Sequence, residues 1–304
     1  MHWLLQKTVV IAAPVVLDHA PPVDAAPIVQ APGHWIPYAL VVLVSAILGA
    51  VVAHVAVRRR WLNLSTRPAF MPRADDSLLL AALFLLLLLA PSLSVPSVRG
   101  AVDVTTMRGM AMVHWTAYAT QAPIAALLVW MLRRSDQTPA PFRSAVGTSV
   151  VAIACVAPWI VLGNQLATQL QALLTGVEPS EIAHKTLGAL IESRGDPWAL
   201  AVIAAVVIAA PVIEEIAYRG GLQGAIRALG IGAWPSILIT SGAFAAMHIP
   251  SVPVESLAGA MASLFLLSVM LGLIRERTQG LIAPIVAHAL FNAANLALAW
   301  TLVQ

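Results

Sequence analysis

Two adjacent glutamates, Glu214 and Glu215, lie in the run PVIEEIAYRG (residues 211–220), at the end of a stretch that is otherwise apolar from residue 198 onward. One charge at mid-bilayer costs ~2.5–3.5 kcal/mol on insertion scales. A pair there needs partners or a task. On a helix Glu215 and Arg219 stand at i, i+4 and share a face, so they can neutralise each other. Glu214 points about 100° away, and its own i+4 neighbour is Tyr218, which is no cation. Glu214 is therefore the acid without a counter-ion close in sequence. Two plainer readings stand beside this one: both glutamates share Arg219, or the pair sits at a wet helix end.

Further polar groups occur in apolar surroundings. His248 closes the run SGAFAAMHIP, and APIVAHALFNAANL carries His288, Asn292 and Asn295 at i, i+4, i+7. On a helix these three fall within about 60° of one another. A single polar stripe on an apolar helix faces something polar inside a bundle. Burial makes a carboxylate a stronger base, and a glutamate–histidine pair can then activate water. A second histidine and an asparagine can donate to the oxyanion of a tetrahedral intermediate. The chemistry indicated is peptide hydrolysis by activated water within a membrane.

Other signatures of intramembrane hydrolysis are missing. His54, His184, His248 and His288 are followed by Val, Lys, Ile and Ala, so no H-E-x-x-H zinc motif is present. Gly195-Asp196 lies in a loop rather than in a G-x-G-D span. A dyad of Ser241 with His288 is conceivable but leaves Glu214 without a role. A glutamate and two histidines also suit zinc. Asn292 fits an oxyanion donor better than a metal ligand, so no cofactor is expected.

These residues must be positioned by membrane helices. The chain of 304 residues is 60% hydrophobic and only 10% charged, too little charge to cover a soluble surface. The fold class expected is all-α, a polytopic membrane bundle of about eight transmembrane helices, at roughly 35–57, 77–98, 111–132, 144–164, 198–218, 234–250, 256–274 and 280–301. The second is expected to end or kink near Pro91 and Pro96. The fifth should run on to about Leu229. Residues 165–197 form the longest loop, with helical pieces near 165–174 and 181–192. Residues 1–34 read as a proline-rich tail with a signal-like segment too short to span.

The loops carrying Arg58, Arg59, Arg60, Arg67 and Arg73, then Arg133, Arg134 and Arg143, then Arg219 and Arg227, then Arg275 and Arg277 alternate with loops poor in basic residues. The positive-inside rule places those four loops in the cytoplasm and both termini outside. The net charge of +3 follows from this topology and implies no nucleic acid partner. Lone Cys155 lies in an apolar helix and reads as a small packing residue. His54 and His114 read as packing or helix-to-helix hydrogen bonding.

The order Glu214-Glu215-x-x-x-Arg219, Phe244-x-x-x-His248, His288-x-x-x-Asn292 resembles the CPBP family, the CAAX proteases and bacteriocin-processing enzymes also called the abortive-infection family. Each motif lies on its own span, and the resemblance covers about residues 198–301. It implies an α-helical membrane glutamate protease. Glu214 would be the catalytic glutamate, His248 its water-activating partner, and His288 with Asn292 the oxyanion pair. Glu215 and Arg219 would support them. The domains expected are a tail at 1–34, helices at 35–197 and a catalytic core at 198–304. The partners implied are the lipid bilayer and a peptide or membrane-protein substrate, in a bacterial cell membrane, with the site opening to the cytoplasm. A proton-coupled transporter and a non-catalytic immunity or scaffold protein are the other functional classes.

Overall fold

A computed structural model describes residues 35–64, 76–133, 140–177, 185–193 and 195–302. The proline-rich tail, His184 and Arg194 lie outside the described residues. Nine helices occur among those described, and none of the described residues forms a strand. They are α1 (Trp35–Arg58), α2 (Ser77–Ala101), α3 (Met107–Arg133), α4 (Phe142–Thr175), α5 (Lys185–Glu192), α6 (Trp198–Ala228), α7 (Ala233–Met247), α8 (Leu257–Thr278) and α9 (Ile282–Leu302). The protein is an all-α polytopic bundle.

A helix stands at each of the eight expected segments. Six of them are long and apolar enough to cross a membrane: α1, α2, α4, α6, α8 and α9. α3 falls short because His114, Thr116, Tyr118, Thr120 and Gln121 interrupt its apolar run. α7 has only 15 residues, about 22 Å of helix against a hydrocarbon core of about 30 Å. It stops at Met247 and continues as a 3-10 turn, Ile249–Ser251. Pro250 disfavours helical backbone at the residue before it.

Two expectations about boundaries are corrected. α2 does not end at its prolines but runs through Pro91 and Pro96 to Ala101. Pro91 has no N–H for the Leu87 carbonyl, and the buried Gln121 side chain of α3 donates to that carbonyl at 2.8 Å instead. Residues 165–174 are no separate piece, because α4 is one helix of 34 residues. α6 runs to Ala228, next to the expected end at about Leu229.

α8 sits centrally and packs against α4, α7 and α9. Small and polar residues allow the α4–α8 approach: Gly259 lies against Thr168 and Asn164, and Asn164 donates to Ser263 Oγ at 3.1 Å. A core of Leu80, Leu87, Leu128, Ala217, Phe244 and Leu264 joins α2, α3, α6, α7 and α8. α1 packs on α4 and presents Leu40, Leu43, Ile47, Leu48 and Val51 outward, as a lipid-facing helix must. His54 is exposed on α1 rather than packed between helices. His114 is buried and stacked on Tyr118 with ring centroids 6.3 Å apart.

Candidate active site

α6 carries the glutamate pair between two π-helical stretches, Ala205–Ala209 and Ile216–Leu222. The first follows from Pro211. The Ala210 N–H already bonds to the Ala205 carbonyl, five residues back. The next donor in that register would be residue 211, aimed at Val206, and proline has none. Asn292 of α9 supplies it, its amide donating to the Val206 carbonyl at 3.0 Å. The second stretch contains Gly220 and Gly221. A Cβ on Gly220 would come within 2.8 Å of Leu128, and one on Gly221 within 3.0 Å of Phe84. The two glycines let α6 press against α2 and α3.

The two glutamates differ sharply. Glu215 is fully buried and its Oε1 accepts from Arg219 Nη1 at 3.1 Å. The same oxygen lies 2.9 Å from His288 Nδ1. Arg219 is buried too, and its Nη2 donates to the hydroxyl and the carbonyl of Ser268 at 2.7 and 3.1 Å. Its guanidinium stands 5.0 Å from the Phe244 ring centroid, within cation–π range. Glu214 is buried at 7% exposure, and neither carboxylate oxygen has a hydrogen-bond partner among the described residues. Its Oε2 is 3.9 Å from His288 Nε2, beyond a direct hydrogen bond.

His248 Nδ1 lies 2.7 Å from the Phe244 carbonyl. A carbonyl only accepts, so Nδ1 carries a proton, and in the neutral ring Nε2 keeps its lone pair. That Nε2 is buried without a described partner. Phe244 binds the constellation together. Its ring contacts those of Tyr218, His248 and His288 at centroid distances of 5.1, 4.7 and 5.8 Å. Asn292 Oδ1 is likewise buried and unpartnered, whereas Asn295 turns back to the Phe291 carbonyl of its own helix at 3.1 Å.

The structure thus brings Arg219, His248 and His288 against Phe244, with Glu215 bonded to Arg219 and His288 and Glu214 3.9 Å from His288, while Asn292, one turn along α9, bonds to Val206 of α6. Three contributors escape a sequence reading. Tyr118 of α3 is buried, and its hydroxyl has no hydrogen-bond partner among the described residues. Ser268 of α8 anchors Arg219. Glu276, expected outside the spans, is buried in the last turn of α8, where Gln223 donates to it at 2.9 Å and Arg227 approaches to 3.5 Å. Arg227 sits four residues after Gln223 on α6, the one sequence signal for that pair. Among the described residues, no group of three or more His, Cys, Asp or Glu is placed to hold a metal ion.

The fold is that of a polytopic membrane bundle, and its site is a buried, asymmetric glutamate pair set against His288. Residues 196–294 match the family described as type II CAAX prenyl endopeptidase Rce1-like. The C-terminal core therefore matches the CPBP, or CAAX protease, family that its three motifs resemble, and this indicates a membrane protease. No curated protein and no solved structure matches the chain.

Proposed function

We propose that the protein is an intramembrane endopeptidase in which Glu214 and His248 activate water without a metal. The observation carrying this reading is the asymmetry of the pair: Glu215 is held by Arg219 and His288, while the two buried Glu214 oxygens have no hydrogen-bond partner among the described residues and Oε2 stands 3.9 Å from His288 Nε2. Glu214 takes a proton from water as the oxygen attacks the scissile carbonyl, and returns it to the leaving amine. His248 Nε2, fixed in tautomer by Phe244, orients the water. His288, held by Glu215 through Nδ1, is assigned with Asn292 to the developing oxyanion. Asn292 spends one amide N–H on Val206 and has a second for the same oxyanion.

The test is cleavage in reconstituted membranes. Membrane and secreted peptides from cells carrying the wild-type chain and Glu214→Gln are compared by mass spectrometry, and the substrate found is then assayed in liposomes with and without chelator. The glutamine variant keeps the shape but not the base. A loss of about 10²–10⁴-fold with intact folding is expected, and the chelator should leave the wild-type rate unchanged. Undiminished turnover by Glu214→Gln would overturn the assignment.

A further inference from the structure

A second feature lies on the other side of α8 from the glutamates. Ser268, Gly272 and Glu276 face α6, whereas Leu266, Met270, Leu273 and Arg277 face a cavity of about 760 Å³ between α1, α4 and α8. Its walls are apolar or small, with Val52, Ala56, Val151 and Ala152 among them, and no aspartate or glutamate occurs in its described lining. Along α4 it reaches from Ser144 to Trp159, about 22 Å at 1.5 Å per residue. One leaflet of hydrocarbon is about 15 Å deep. The far end is lined by Trp159, whose ring packs where a Cβ on Gly49 would come within 3.2 Å of it.

The near end is marked as a membrane interface. Trp61 and Trp234 line it, and tryptophans favour the headgroup level. Arg277, the lone charged residue in the described lining, is exposed there and donates to the carbonyls of Arg60 and Trp61. Arg58, Arg59, Arg60 and Arg143 are exposed at the adjoining ends of α1 and α4. The neighbouring carboxylate, Glu276, is turned away and held by Gln223 and Arg227.

We infer that this groove is a binding site for an anionic membrane phospholipid, with an acyl chain lying along α1, α4 and α8 and the phosphate on the arginines at the mouth. Charge complementarity selects the occupant. A wholly apolar partner leaves the arginine cluster unused, and a neutral lipid gains little from it, whereas basic pockets at helix ends suit acidic headgroups. The site does not depend on the protease assignment, because it shares no side chain with the glutamate centre.

Gly147 offers a direct test, since it lines the cavity and a Cβ there meets nothing within 4 Å. The full chain is reconstituted in nanodiscs of phosphatidylcholine with and without phosphatidylglycerol, and lipid retained after detergent extraction is counted by mass spectrometry. Wild type should keep about one phosphatidylglycerol per chain and melt higher in the anionic discs. Gly147→Phe, which fills the groove, should lower retention at least tenfold. Arg59→Gln with Arg143→Gln should abolish the preference over phosphatidylcholine, and Gly147→Leu provides a smaller filler if the phenylalanine disturbs folding. Equal retention of both lipids by wild type, unchanged retention in both groove-filling variants, or a shift of oligomeric state on filling the groove in place of lipid loss would overturn the proposal.

Discussion

At the scale of single residues, two neighbouring glutamates are given opposite fates by what crosses over from other helices. Glu215 is locked into a hydrogen-bonded network with Arg219 and His288, Arg219 being held in turn by Ser268, while the Glu214 oxygens have no hydrogen-bond partner among the described residues. Arg219→Gln should therefore act on stability first. Removing one partner of a buried ion pair costs about 3–5 kcal/mol, because the remaining charge is left uncompensated. Thermal unfolding in detergent should show a large drop in midpoint for Arg219→Gln and a small one for Glu214→Gln, whose carboxylate has no bond to lose. Equal drops would mean that Glu214 is as structural as its neighbour. The privileged position of Glu214 was legible in the sequence, since Arg219 can share a helix face with only one acid of the pair. The tie between His288 and Glu215 was not, because it joins residues far apart in sequence and depends on how α9 rotates against α6.

At the scale of elements, two prolines inside helices are met by amide side chains from neighbouring helices. Gln121 serves the carbonyl freed by Pro91, and Asn292 serves the one freed by Pro211. A helix with a proline can persist in lipid when a neighbour satisfies the freed carbonyl, which is why the expected break in α2 is absent. The sequence shows the prolines and the amides but not their pairing. Asn292 thus has a structural duty besides the proposed chemical one, and the two can be separated. Asn292→Leu should cost about 1–3 kcal/mol by stranding a buried carbonyl. Adding Pro211→Ala restores a backbone donor and should recover most of that stability. Cleavage should stay low in the double variant if the second N–H of Asn292 contacts the oxyanion. Full recovery of cleavage along with stability would reduce Asn292 to a helix clamp.

At the scale of the whole molecule, the eight apolar segments and the alternation of basic loops were legible because the bilayer imposes length and polarity on the chain. Whether all eight helices cross is decided by α3 and α7, the polar one and the short one. If both cross, the residue pairs flanking each lie on opposite sides: Gly100 and Phe142 around α3, Leu229 and Val254 around α7. All four are exposed. Single cysteines at these positions, in a chain whose one cysteine is changed by Cys155→Ala, should react with a membrane-impermeant thiol reagent in intact cells at 100 and 254. Positions 142 and 229, beside Arg143 and Arg227, should react only after lysis. Labelling of 229 and 254 from the same side would make α7 a re-entrant segment. It would place His248 at the end of a helix that dips into the bilayer, open to water from the side on which that helix begins. The inverse pattern, with 142 and 229 labelled from outside, would keep the eight-helix bundle but turn the proposed active site away from the cytoplasm.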